Sequence, residues 1–244
     1  MQDIIQAQKS GKLFLIPTYL STDNTPDILA PIVHDLIKNT KHYLVENART
    51  SRRFISSLKL GIDIESLQIH KLDKNTGTTE LFELLQPLQE GVDMGLMSEA
   101  GLPAIADPGQ VAVSMAHQLK IPVVPLPGPS SIIQALIASG FDGQKFTFHG
   151  YLPIDKSKRK MTLLNIEKTV EKTGYTQIFM ETPYRNNALI ESLTGVLKRS
   201  TYLSIASGIT SNSEFIYTAL ISKWKNEKVR IDKIPAIFSI GIPQ

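Results

Sequence analysis

The 244-residue sequence predicts an α/β protein of two domains, with a mostly parallel sheet in the N-terminal domain and a mixed sheet in the C-terminal one. Three observations carry that prediction. Short apolar runs alternate with helical periodicity up to about Gly140, as expected for a parallel sheet covered by crossover helices. After about Gly150 the helices thin out and strand-like runs cluster. Apolar residues make up 42% and charged residues 20% of the chain, a globular composition with enough material for a substantial core.

In order, Lys12–Pro17 (KLFLIP) is a short buried strand. After a polar segment, Thr25 or Pro26 opens a helix in which Ile28, Leu29, Ile32, Val33, Leu36 and Ile37 recur at helical spacing. His42–Val45 is a strand, Arg49–Leu58 a helix and Gln68–Leu72 a strand. TTELFELLQPLQ reads as one helix with Leu81, Leu84, Leu85 and Leu88 on one face. Asp93–Met97 is a strand, QVAVSMAHQL a helix and Ile121–Leu126 a strand. Ser130–Ser139 is a helix closed by Gly140. The domain boundary falls between Gly140 and Pro153, giving domains of residues 1–143 and 144–244. In the second domain, Lys156–Lys172 is a helix, Thr176–Glu181 a strand and Tyr184–Lys198 a helix. Ser213–Leu220 and Pro235–Ile242 join Tyr202–Ser207 as strands.

The chain has no cysteine, which excludes a disulfide framework, a thiolate metal site and a cysteine nucleophile. The first twelve residues hold no apolar run of signal-peptide length, and no stretch approaches the roughly 18–20 apolar residues of a membrane span. A soluble, cytoplasmic chain is expected. There is no GxxxxGK[ST], GxGxxG, HExxH or GxSxG motif. His34, His42, His70, His117 and His149 show no metal-ligand spacing, so no metal is expected. Lys156-Ser157-Lys158-Arg159-Lys160 is the densest positive run. It reads either as a solvated helix start or as a contact for a phosphate backbone. The net charge of +3 decides neither.

Two stretches are too unusual to be mere connectors. Met97-Ser98-Glu99-Ala100-Gly101-Leu102-Pro103-Ala104-Ile105-Ala106-Asp107-Pro108-Gly109 follows a parallel strand, at the rim where open α/β sheets bind ligands. Its small residues let a ligand approach the backbone, and Glu99 could accept hydrogen bonds from ribose hydroxyls. A long strand-to-helix turn is the alternative. Pro125-Leu126-Pro127-Gly128-Pro129-Ser130-Ser131 closes another strand and opens a helix, whose free N–H groups suit a carboxylate or hydroxyl ligand. Here the alternative is an ordinary proline-rich cap.

MGLMSEAGLPAIADPG, VVPLPGPSSIIQALIASG and FTFHGYLP together resemble the hallmark segments of the ribosomal RNA small subunit 2′-O-methyltransferases, a family of the tetrapyrrole-methylase superfamily. KLFLIPT, VENARTSRRF, METPYRNN and the 204–220 region match more weakly, in the same order. The resemblance implies a two-domain, tetrapyrrole-methylase-like fold, S-adenosylmethionine as cofactor in an interdomain cleft, and a homodimer. It further implies cofactor contacts from Leu20, Ser98, Glu99, Leu102, Ser130, Ser131, Met180, Gly208 and Thr210. Two segments depart from the pattern. Pro17–Asp23 lacks a glycine in the first loop, and Ala206–Ser211 lacks an Arg-Glu pair and a lysine. Many relatives carry a further segment beyond the position of Gln244.

The implied reaction is an in-line methyl transfer, which asks the protein for position and electrostatics and needs no metal. A ribose hydroxyl is a poor nucleophile and benefits from a base. Glu46, just past a strand end, is the candidate base, and Arg49 a candidate phosphate ligand. A Glu46–Arg49 pair at a helix start is the alternative for both. The implied acceptor is a cytidine ribose in 16S ribosomal RNA, alone or within the small ribosomal subunit. A tetrapyrrole or other small-molecule acceptor, or a non-catalytic binding relative, are the rival functions.

Overall fold

The computed structural model describes residues 10–23, 28–227 and 229–243, which form two compact units. Residues 10–20 and 28–129 make the first. Residues 21–23 and 130–243 make the second.

The first unit runs β1 (Leu13–Leu15), α1 (Pro31–Asn39), β2 (His42–Val45), α2 (Ala48–Ser57), β3 (Gln68–Lys71), α3 (Thr78–Leu84), α4 (Gln86–Gln89), β4 (Met94–Met97), α5 (Gly109–Gln118) and β5 (Val123–Pro125). Its sheet has the order β3-β2-β4-β1-β5, every pair parallel. Side chains alternate across it. Phe14, Ile16, Tyr43, Val45 and Met97 pack with α1 and α2 on one face. Leu13, Leu44, Met94 and Leu96 pack with α3, α4 and α5 on the other. Gly95 has no side chain because a Cβ there would lie 2.6 Å from Ile16 Cδ1 and 2.8 Å from Tyr43 Cδ1.

The strand order sets where a crevice opens along the first sheet. β1 and β4 are neighbours, yet the chain leaves β1 toward β2 and leaves β4 toward β5, in opposite directions along the sheet. With right-handed crossovers the two connections run over opposite faces, which opens a crevice at the carboxyl ends of these two strands. The segments of the first unit that border it are 16–20 and 98–108.

The second unit runs α6 (Ser131–Ser139), β6 (Phe146–Tyr151), α7 (Lys156–Thr173), β7 (Thr176–Glu181), α8 (Asn186–Val196), β8 (Tyr202–Ser207), β9 (Phe215–Leu220), α9 (Ile221–Trp224) and β10 (Ala236–Gly241). Its sheet has the order β6-β7-β10-β8-β9 and is mixed: β6 pairs with β7 in parallel, and the other pairs are antiparallel. Phe179, Leu203, Ile205 and Phe238 meet α7, α8 and α9 on one face. On the other face Thr218 Oγ1 donates to Ser139 O of α6 at 2.9 Å. So α6 packs on the second sheet, although the sequence pattern keeps it within the first domain.

Three elements differ from expectation. The single helix over 78–89 is two, α3 and α4, because Pro87 has no N–H and its ring opposes the preceding turn; Leu85 caps one piece and opens the other. The first helix begins at Pro31, with Ile28 and Leu29 ahead of it; the expected start at Thr25 or Pro26 lies outside the described residues. β6 is a strand that the alternation rule does not find. It is an edge strand, mostly exposed, and its register shifts between Phe148 and Tyr151 around Gly150, whose φ is 66°.

Candidate functional site

Strand β4 ends at Met97, and the next residues fold back on the rim. Thr18, after β1, donates its N–H to Gly101 O at 2.9 Å, and its hydroxyl lies 3.5 Å from Ser98 O. Ser98 itself is buried, and its hydroxyl donates to Ala100 O at 3.3 Å. A Cβ on Gly101 (φ 74°) would sit 2.9 Å from Leu20 Cδ2, so the first loop rests on the second through a glycine. The missing glycine of the first loop leaves this approach intact, because Gly101 provides the space.

Further along, Ala104 and Ala106 adopt φ of 68° and 61°. Left-handed backbone costs an alanine roughly 1–2 kcal/mol. Asp107 holds the strained loop: its Oδ1 accepts from Ala104 N at 3.0 Å and from Gly109 N at 2.7 Å. Its Oδ2 is buried without a partner among the described residues. Burial pushes the Asp107 carboxyl above its ordinary value, against the pull of the backbone donors.

Glu46 and Asn47 follow β2, beside β4. Glu46 Oε2 accepts from Glu99 N at 3.2 Å. Burial raises the Glu46 carboxyl above the usual range; the Glu99 N–H pulls it down, and the charges of Glu99 and Asp107 push it up. Arg49 is exposed and makes no ion pair with Glu46 among the described residues, so the two do not form the helix-start pair that was the alternative. Asn47 caps α2, its Oδ1 accepting from Arg49 N at 3.0 Å and Thr50 N at 3.3 Å. Its amide donates to Glu99 Oε1 at 3.0 Å, and Thr50 Oγ1 lies 3.4 Å from the same oxygen. Glu99 is exposed, and both side-chain hydrogen bonds that it accepts among the described residues fall on Oε1, none on Oε2. Asn47, Thr50 and Asp107 were not predicted as site residues. The only signal for Asn47 is a residue favoured as a helix cap directly after Glu46.

Beyond β5, Gly128 lies so near the first loop that a Cβ would be 2.1 Å from Pro17 Cβ, and 3.6 Å from Leu102 Cδ2. Leu102, half-buried, thus stands where the 98–108 and 126–129 loops meet. In the second unit, Ser130 caps α6 through Ile133 N at 3.4 Å, and Ser131 is the first residue of that helix. Met180 lies in β7 opposite Ile237 of β10. Gly208 (φ 57°) and Thr210 (φ 67°) form the turn after β8, where Thr210 N donates to Glu214 Oε2 at 2.7 Å. The structure therefore gathers Leu20, Glu46, Ser98, Glu99 and Leu102 on one rim of the first unit. Ser130, Ser131, Met180, Gly208 and Thr210 belong to the second. Among the described residues there is no cluster of three or more metal-ligating side chains, and no helix long and apolar enough to cross a membrane.

The fold, a five-stranded parallel sheet and a five-stranded mixed sheet, is shared with solved methyltransferases. Uroporphyrin-III C-methyltransferase from Thermus thermophilus superposes with a TM-score of 0.55 at 16% identity, covering 96% of this chain and 93% of that one. The methyltransferase CobJ gives 0.62 at 13% identity, covering 95% and 94%. Cobalt precorrin-4 methyltransferase CbiF gives 0.58 at 12%, covering 94% of each. No protein-family model matches the chain. Among curated proteins, ribosomal RNA small subunit methyltransferase I from Buchnera aphidicola (subsp. Schizaphis graminum) is 32% identical over 222 residues, 90% of this chain and 74% of the relative. The protein of the same name from Escherichia coli O157:H7 is 30% identical over 213 residues, 87% and 70%. That from Bacillus subtilis is 28% identical over 220 residues, 89% and 71%. The chain belongs to the ribosomal RNA small subunit methyltransferase I family.

Proposed function

We propose that the protein transfers the methyl group of S-adenosylmethionine to the 2′-hydroxyl of a cytidine ribose in 16S ribosomal RNA. One observation supports this most: Glu46, with a raised carboxyl, and Glu99, whose Oε2 takes no hydrogen bond among the described residues, stand side by side at the switch point of the parallel sheet. The relatives' names supply the nucleic acid. The rim residues fit the cofactor. A free, exposed carboxylate oxygen suits a ribose diol, and the half-buried Leu102 suits an adenine face. Leu20 and Ser98 of the first unit, and Ser130, Ser131, Met180, Gly208 and Thr210 of the second, are the other residues that we assign to the cofactor.

S-adenosylmethionine supplies a methyl group already activated on a sulfonium. The protein's share is to place the acceptor oxygen in line and receive its proton. Glu46 takes that proton as the O–CH3 bond forms, and its raised pKa brings it nearer the operating pH than an ordinary carboxylate. Arg49, exposed in the first turn of α2, holds a phosphate of the RNA. We place the protein in the cytoplasm as a homodimer; Ile133 and Ile137 of α6, 44% and 75% exposed, offer an apolar face for a second copy.

Calorimetry should show one S-adenosylmethionine site per chain, with S-adenosylhomocysteine competing. Mapping of 2′-O-methyl groups in 16S ribosomal RNA should lose one cytidine signal in a deletion strain. Absence of heat at millimolar cofactor rejects the donor, and an unchanged map rejects the acceptor.

A further inference from the structure

We infer that Asn47 is a positioning residue that fixes the rotamer of Glu99 and so presents one chosen carboxylate oxygen to the methyl donor. The inference rests on Glu99 binding the donor's ribose, as proposed above. The geometry is a reciprocal clasp between the loops after β2 and β4. Glu99 gives its N–H to Glu46 Oε2 at 3.2 Å, and Asn47 Nδ2 donates to Glu99 Oε1 at 3.0 Å. Thr50 Oγ1 reaches the same Oε1 at 3.4 Å. Both side-chain donors fall on one oxygen, so Oε2 is the oxygen left to accept from a ligand. An exposed glutamate otherwise samples several rotamers, and binding through it would carry the cost of ordering it.

The residue type at position 47 matters in a way that capping alone does not explain. Asparagine and aspartate cap helices about equally well, because either oxygen accepts from the first free N–H groups. Only asparagine also donates. In Asn47→Asp the cap through the oxygen survives, but the donor to Glu99 is replaced by a third carboxylate beside Glu46 and Glu99, in a neighbourhood that Asp107 already charges. The like charges would turn Glu99 away from its present rotamer. The nearest cation in sequence, Arg49, is exposed and does not pair with Glu46.

The test is calorimetry with S-adenosylhomocysteine, together with thermal unfolding, on the full-length wild type, Asn47→Asp, Glu99→Gln and the double variant. Asn47→Asp is expected to raise Kd about tenfold or more while leaving the unfolding midpoint unchanged. In the Glu99→Gln background the same substitution should have little effect on Kd, because the new amide at position 99 can donate to the carboxylate at position 47. A helix-capping role alone would give no such coupling. Wild-type affinity in Asn47→Asp, or equal losses in both backgrounds, overturns the positioning role. If the wild type itself binds no S-adenosylhomocysteine, the cofactor assignment has failed instead.

Discussion

At Glu46 the proposed chemistry and the stability of the fold oppose each other. Its carboxyl is raised by burial and by its acidic neighbours, so the native state favours the protonated form. The stability linked to it is fully present below the unfolded carboxylate pKa and is lost as pH rises through the raised value. At neutral pH the ionised side chain therefore works against folding. Glu46→Gln should raise the unfolding midpoint at pH 7.5 and leave it unchanged at pH 4. The same variant should lose about a hundredfold or more in methyl transfer, the contribution of a positioned base. Calorimetric melts at the two pH values and a methyl-transfer assay check both; a variant that keeps its rate is evidence against Glu46 as the base. At this scale the sequence made the placement of Glu46 and Glu99 legible, because residues just past the strands of a parallel sheet stand on its carboxyl rim. It did not reveal Asn47, Thr50 or Asp107. Asn47 and Thr50 meet Glu99 from 52 and 49 residues away, contacts that no local spacing encodes. Asp107 looks like part of a turn until its oxygen is seen holding two backbone donors.

At the scale of elements, the sequence shows strands and helices wherever apolar periodicity is strong and both sheet faces are covered. It fails where backbone chemistry overrides the pattern, as at Pro87, and where the strand is an exposed edge, as in β6. The rim loops are a third case. Their prolines and glycines announce unusual backbone without saying what packs against what. Gly128 is explained only by Pro17, whose Cβ and Cγ would stand 2.1 and 2.5 Å from an added Cβ. Neither partner can yield easily, since Pro127, Pro129 and Pro17 are all ring-locked. Overpacking of this kind costs about 1–3 kcal/mol. Gly128→Ala should lower the unfolding midpoint by about 5 °C and weaken cofactor binding, because the 126–129 loop must move away from Leu102 and the first loop. Gly140→Ala is the control. Its φ is positive, 75°, which that of Gly128 is not, but the space around it is open, so it should bear only the conformational cost and bind cofactor normally. Equal cofactor affinity in both variants would show that the contact between the loops does not shape the site.

Across the whole molecule, each unit carries its own basic surface. In the first, α2 exposes Arg49, Arg52 and Arg53 with no acidic residue in the helix. In the second, α7 opens with Lys156, Lys158 and Lys160 exposed. Arg159 does not belong with them, although the run Lys156–Lys160 reads as one patch in the sequence. It is 5% exposed and donates from Nη1 to Ile154 O at 3.3 Å, because position 159 falls on the buried face of the helix with Leu163 and Ile166. The charge available to a phosphate backbone on α7 is therefore that of the lysines alone. Lys156→Glu with Lys160→Glu reverses one side of that surface and spares the fold, since both side chains are exposed and an acidic residue at 156, in the first turn, favours the helix dipole. Arg52→Glu with Arg53→Glu does the same for α2 without touching Arg49. Each lysine or arginine that neutralises a phosphate adds close to one unit to the slope of log affinity against log salt. If both surfaces hold RNA, each pair of reversals should weaken binding of 16S ribosomal RNA and flatten that slope, and the two effects should add when combined, as for independent sites. S-adenosylmethionine affinity should stay constant throughout. Titrations of rRNA binding at several salt concentrations distinguish the outcomes. A loss confined to the α2 pair means that one basic surface serves the acceptor. No loss in either pair means that the acceptor is not held through its phosphates.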